Sequence, residues 1–134
     1  MFIVPLVLAV TLQQASTPPA PLAEVAATLA PEPWAQQDPA DSLYRAAQQA
    51  LTRGQYTQAA ELFRAVRQRY PRSSYTPDAL YWEAFALYRT GSDDGLRTAR
   101  ARLAEQADQH PGASTRRDAD VLMRRVQGEL ARRG

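Results

Sequence analysis

The sequence predicts an all-α fold of five helices, arranged as antiparallel helix pairs in about two and a half repeats. Three observations carry this expectation. No segment shows the period-two alternation with β-branched enrichment that strands require. From residue 38 onwards the chain divides into stretches bounded by helix start and stop residues. The spacing of marker residues also recurs after 40 residues.

Taken in order, residues 1–12 (MFIVPLVLAVTL) form an apolar run broken only by Pro5 and Thr11. A membrane-spanning helix needs ~20 apolar residues, so this run suits the core of a secretory signal peptide instead. Residues 1–15 are read as that signal, with Ala15 the candidate cleavage position, and the chain as periplasmic or otherwise exported. Without a signal function there, the chain would be cytoplasmic. Residues 16–38 are read as an extended linker, since seven of the ten prolines fall within residues 1–39. Trp34 stands in that linker, either folded back on the domain or serving as a partner anchor.

The helical domain spans residues 39–134. Its first helix is expected over 39–53, with Asp38 as N-cap, Pro39 in the first helical position and Gly54 as the stop. The second covers 57–69 and ends at Tyr70-Pro71. The third opens on Thr76-Pro77-Asp78, in the order cap, proline, acid, and ends at Gly91. The fourth runs from about Asp94 to Gln109 and is stopped by Pro111. The fifth opens on Thr115 with Asp118 three residues later, a capping-box spacing. Ala119, Leu122, Val126 and Leu130 give it one apolar face, as a helix that closes an array should have.

The repeat gives these helices a packing rule. Gly54, Tyr56, Ala59, Phe63, Val66 and Pro71 are echoed in part by Leu96, Ala99, Leu103, Gln106 and Pro111. A small residue early in the second helix of a pair (Ala59, Ala99) permits close approach. One turn on, a bulky residue (Phe63, Leu103) fills the space between the helices. Along the third helix, Leu80, Ala84 and Leu87 with Tyr81, Phe85 and Tyr88 make an apolar arc wide enough to be covered on more than one side.

Composition excludes much chemistry. Charges nearly balance, 16 basic against 14 acidic, and every basic residue is arginine. Without lysine there is no Schiff base and no P-loop cradle. Without cysteine no disulfide, thiolate nucleophile or lipidated cysteine is expected. His110 alone does not make a histidine metal site, and neither a metal nor a cofactor is expected. Glu61, Glu83 and Glu105 are the candidates for a carboxylate pair, but Glu61 and Glu105 are read as solvent-facing residues near helix starts. Residues 91–95 are read as a loop with two acids, too short for a calcium loop. No enzyme is predicted.

The 54–71 spacing resembles the tetratricopeptide repeat (TPR), and the resemblance extends over about residues 40–134. The string from Tyr70 to Trp82 is similar to a subgroup of bacterial envelope TPR proteins, such as the Tol–Pal periplasmic coordinator and the repeat lipoprotein of outer-membrane assembly. The resemblance implies an α-solenoid whose concave groove, lined by the first helix of each pair, binds a partner protein or peptide. Mapped here, the groove residues would be Asp41, Tyr44, Gln48 and Thr52 from the first unit. Asp78, Tyr81, Phe85, Tyr88 and Arg89 would come from the second. Tyr81, Phe85 and Tyr88 have a competing reading as packing between repeats. The expected function is a non-catalytic scaffold module. Its alternative is an assembly or regulatory subunit that stacks its helices onto a larger α-solenoid partner.

The last helix carries Arg116-Arg117, Arg124-Arg125 and Arg132-Arg133. These suggest an anionic surface or nucleic-acid binder as a third reading, but aromatic interleaving is absent and the chain's net charge is only +2. No nucleic acid is expected, and no transmembrane span after signal removal. Because two and a half repeats are few for a stacked array, self-association or a partner that completes the stack remains open.

Overall fold

The computed structural model describes residues 38–134. The signal peptide, all but the last residue of the linker, and Trp34 lie outside the described residues. Five helices follow in chain order: α1 (Asp41–Thr52), α2 (Tyr56–Arg69), α3 (Thr76–Thr90), α4 (Asp93–Gln109) and α5 (Arg116–Arg133). The described residues hold no strand. Short turns make successive helices antiparallel. Each packs on its chain neighbours, and α3 also touches α5.

The stops are the expected ones. Gly54 and Gly91 take φ of 73° and 72°, a left-handed conformation that glycine adopts without a Cβ penalty. The starts differ from the sequence expectation. Ala40, not Asp38, is the N-cap of α1, and neither Tyr75 before α3 nor Thr115 before α5 caps with its side chain. Thr76 lies inside α3 and donates its hydroxyl to the Tyr70 carbonyl at 2.6 Å. The capping box at Thr115 does not form: its hydroxyl oxygen accepts from the Gln106 amide instead, while its hydrogen is donated to Asp78.

Ser92 is the residue that caps with its side chain, accepting from the Gly95 backbone N–H at 3.0 Å. Residues 93–95 are therefore the first turn of α4 and not a loop. Gly95 is buried there, and a Cβ would come within 2.7 Å of Ser92 Oγ and 3.2 Å of the Leu87 carbonyl. Its missing side chain lets α4 start tightly against the end of α3.

Two apolar clusters share α3. The first joins Ala47, Ala50, Ala59, Phe63 and Val66 to Ala79 and Ala86. The second joins Ala84 to Leu96, Ala99, Leu103, Ala119, Leu122 and Val126. Leu87 packs against both, so α3 is covered on two sides, as its wide apolar arc predicts. Ala59 and Phe63, like Ala99 and Leu103, are buried as the small-then-bulky rule requires.

One position breaks the apolar pattern. Gln106, the counterpart of Val66, is fully buried. Its amide donates to the Pro77 carbonyl and to Thr115 Oγ1, both at 2.8 Å, and so ties α4 to the starts of α3 and α5. At the far end, Arg133 donates to the Gly91 carbonyl at 2.6 Å and to Asp93 at 2.8 Å, latching α5 onto the turn between α3 and α4.

Candidate functional site

The expected groove residues lie on α1 and α3, and the structure divides them by role. Two of them join successive repeats. Asp41, in the first turn of α1, accepts the Tyr75 hydroxyl at 2.6 Å and pairs with Arg45 at 2.9 Å. Asp78, in the first turn of α3, accepts the Ser114 and Thr115 hydroxyls, each at 2.9 Å. Tyr75 and Thr115 stand at the same place, four residues after Pro71 and Pro111. A carboxylate at the start of each first helix thus holds the turn that opens the next one.

Asp38 adds to this joint. It accepts the Ser73 and Ser74 hydroxyls and the Ser74 and Ala40 backbone N–H groups at 2.7 to 2.9 Å. Burial pushes its carboxyl up, but these bonds outweigh that effect and bring the pKa down to about 2.

The aromatic residues form a run across α1 and α3. Tyr44 stacks on Tyr75 with ring centres 4.4 Å apart and meets Phe63 edge-on at 5.7 Å. Gln48 donates to the Tyr44 hydroxyl at 3.1 Å. Trp82 packs against the first apolar cluster and reaches across to the second group, meeting Tyr81 at 4.9 Å and Phe85 at 5.8 Å edge-on. Tyr44, Trp82, Tyr81 and Phe85 are all half-buried. Packing and surface presentation are therefore combined in the same side chains. Burial raises the phenol pKa of Tyr44 and of Tyr81, and the nearby Asp118 carboxylate adds to the rise at Tyr81.

The remaining predicted residues stand apart. Tyr88 packs against the second apolar cluster. Arg89 is exposed and lays its guanidinium 4.8 Å above the Tyr56 ring, at the start of α2. Thr52 bonds back to the Gln48 carbonyl at 2.9 Å, in the last turn of α1. A hollow of about 190 Å³ opens between α3 and α5, lined by Tyr81, Phe85, Asp118, Val121, Leu122 and Arg125.

Sequence reasoning missed an ion cluster on the opposite flank. Glu83 of α3 is buried and takes Arg67 of α2 in a two-pronged bond, at 2.6 and 3.1 Å. Arg102 of α4 comes within 3.9 Å of the same carboxylate and pairs with Glu105. Glu105 thus belongs to the last turns of α4, contrary to its reading as a residue near a helix start. The Arg67–Glu83 bond, more than their charges alone, holds the Arg67 guanidinium in its charged form. Arg67, Glu83 and Arg102 line a cleft of about 700 Å³ between α2 and α4. The signal in the sequence was a lone glutamate inside the apolar arc of α3.

Among the described residues, no group of histidine, cysteine, aspartate or glutamate side chains is arranged to hold a metal. No helix among them is long and apolar enough to cross a membrane. No curated protein matches the chain. The profile of the YfiO family, described as an outer membrane lipoprotein, matches residues 36–126, more than half of the chain. That span takes in all of α1 to α4 and the apolar start of α5. With its paired helices, repeated small-then-bulky contacts and this match, the chain belongs to the YfiO family of outer membrane lipoproteins.

Proposed function

We propose that the protein is a non-catalytic interaction module of the periplasmic side of the cell envelope, which binds a partner peptide along the face shared by its first helices. The observation that carries this reading is two groups of packed rings on the first helices, Tyr44 on Tyr75 and Tyr81 with Trp82 and Phe85. Half-buried rings fixed by neighbouring rings lose little entropy when a partner covers them, which is the character of interface anchors. Gln48 beside Tyr44 and the exposed Arg89, one helical turn beyond Phe85 on α3, add polar groups near these rings. Export would follow from residues 1–15 acting as a signal peptide.

The test is capture from native envelope extract with the natural chain and with a Phe85→Ala, Arg89→Ala variant of equal helicity. Loss of the captured partner in the variant supports the reading. Equal capture by both chains overturns it.

A second reading has its own observation. Val121 on α5 is 41% exposed, an uncovered large apolar side chain beside the exposed Arg117 and Arg124. A larger helical partner that stacks on α5 would cover it. The anionic-surface reading draws less support, since Arg116, Arg132 and Arg133 are paired with Asp120, Glu129 and Asp93.

A further inference from the structure

The ion cluster on the flank opposite the rings is foreign to the repeat that carries it. The stops Gly54 and Gly91 set α1 and α3 in register 37 residues apart, and Pro71 and Pro111 set the next step at 40. In that register Glu83 of α3 corresponds to Ala46 of α1 and to Met123 of α5. On the second helices Arg67 corresponds to Ala107, and Arg102 to Leu62. Leu62 and Met123 pack against the two apolar clusters. Replacing a buried ion pair by well-packed apolar side chains is often neutral or stabilising. Helix packing alone therefore gives no reason for three charges to meet at this one place.

One contact in the cluster is also incomplete. Glu83 is only 2% exposed and is bonded by Arg67 through Nε and Nη2. Arg102 Nε stands 3.9 Å from the same carboxylate and is buried with no hydrogen-bond acceptor. Its Nη1 is bonded to Glu105, while its Nη2 and the Nη1 of Arg67 have no acceptor among the described residues. A charged donor left unpaired in a buried place is costly and calls for an acceptor. Arg67 Nη2 and Arg102 Nε both approach Glu83 Oε1, at 3.1 and 3.9 Å, so one small anion can touch both guanidinium groups.

The cleft of about 700 Å³ that these residues line has the size of a ligand site. Its charges balance, with Arg64, Arg67 and Arg102 against Glu61, Glu83 and Asp94. A dianion would be repelled by the carboxylates, whereas a single negative charge suits two partly unpaired arginines. We infer that this cleft is a second binding site, which takes one carboxylate, carried on an acidic side chain or a peptide C-terminus, between Arg67 and Arg102. Glu83 keeps the two guanidinium groups side by side, and Glu105 competes with the ligand for Arg102. The site shares no residue with the capture variant above, so either experiment stands without the other.

The test is an NMR titration of the full chain at constant ionic strength, read at the arginine Nε–H signals. The probes are acetyl-Ala-Glu-Ala-amide, acetyl-Ala-Gln-Ala with a free C-terminus, acetyl-Ala-Gln-Ala-amide and sulfate. Saturable shifts of Arg67 and Arg102 are expected with at least one of the two carboxylate peptides, and the tighter of them names the source of the carboxylate. The neutral amide and sulfate should each bind at least about tenfold more weakly.

Two variants should move that affinity in opposite directions. Arg102→Leu copies Leu62 of the first repeat and keeps the Arg67–Glu83 bond, and binding should fall at least about tenfold. Glu105→Gln releases Arg102, and binding should tighten about threefold or more. A change that only disturbs the fold does not tighten binding. No saturable shift with either carboxylate peptide, equal binding of the neutral amide or of sulfate, or unchanged affinity in either variant would each overturn the inference.

Discussion

Tyr75 donates its hydroxyl to Asp41 across 34 residues of sequence while its ring stacks on Tyr44 at 4.4 Å. One side chain thus seals the first repeat to the second by both a polar and an aromatic contact. The bond to Asp41, more than partial burial, raises the Tyr75 phenol pKa. Tyr75→Phe keeps the stack and loses the bond, whereas Tyr75→Ala loses both. Urea unfolding should rank the natural chain above Tyr75→Phe and Tyr75→Phe above Tyr75→Ala. Equal midpoints for the two variants would show that the stack contributes nothing.

The Arg67–Glu83 pair should behave as a buried ion pair. Glu83→Ala strands the Arg67 guanidinium beside Arg102 with no carboxylate between them, at a cost of about 3–5 kcal/mol. Replacing both partners with leucine should recover most of that loss, because neither charge is left buried. Chemical unfolding of Arg67→Leu, Glu83→Leu and the double variant carrying both measures the coupling directly.

Gln106 gives a sharper comparison, since the equivalent residue in the first repeat is Val66. Gln106→Val copies the first repeat but removes the bonds from the Gln106 amide to the Pro77 carbonyl and to Thr115 Oγ1. The expected loss is about 1–3 kcal/mol, read from unfolding midpoints, despite the more apolar side chain. A gain in stability would mean that water replaces both bonds at no cost.

Acid should loosen the joint at Asp38. Its carboxyl ionises at about 2 in the folded chain against an ordinary 3.8, so the unfolded chain binds more protons between those values. The stabilisation is complete above about pH 4 and is lost as pH falls towards 2. Asp38→Asn should flatten the dependence of thermal midpoint on pH in that window. An unchanged slope would remove Asp38 from the acid response.

The latch at the other end is testable by exchange. Arg133→Ala frees the end of α5 from Gly91 and Asp93. Amides of the last turn of α5 should then exchange faster with deuterium, while those of α2 stay as they were. Exchange that rises equally in both helices would point to global destabilisation instead.

Helix positions and packing are legible in the sequence, because both follow from local spacing. Gly54 and Gly91 stop helices wherever a left-handed residue is needed, and Ala59–Phe63 and Ala99–Leu103 repeat because every pair must solve the same contact. The candidate site is legible there as a set of residues but not as a set of roles. Asp41 and Asp78 fall at groove positions, yet their carboxylates hold the turns of the next repeat. Thr76 and Thr115 have the composition of caps, but Thr76 lies inside α3 and the Thr115 hydroxyl is held by Gln106 and Asp78.

The sequence by itself determined the all-α class, the order of the helices, their stops, the apolar faces and the double coverage of α3. Each of these is a property of residues within a few turns of one another, where periodicity carries the information. Only the tertiary structure decided that Glu83 is neutralised by Arg67, that the Gln106 amide N–H groups reach the Pro77 carbonyl and Thr115, and that Tyr75 stacks on Tyr44 while Thr115 bonds to Asp78. Those outcomes depend on partners up to 37 residues away, and a polar side chain's local spacing does not say which distant group will meet it.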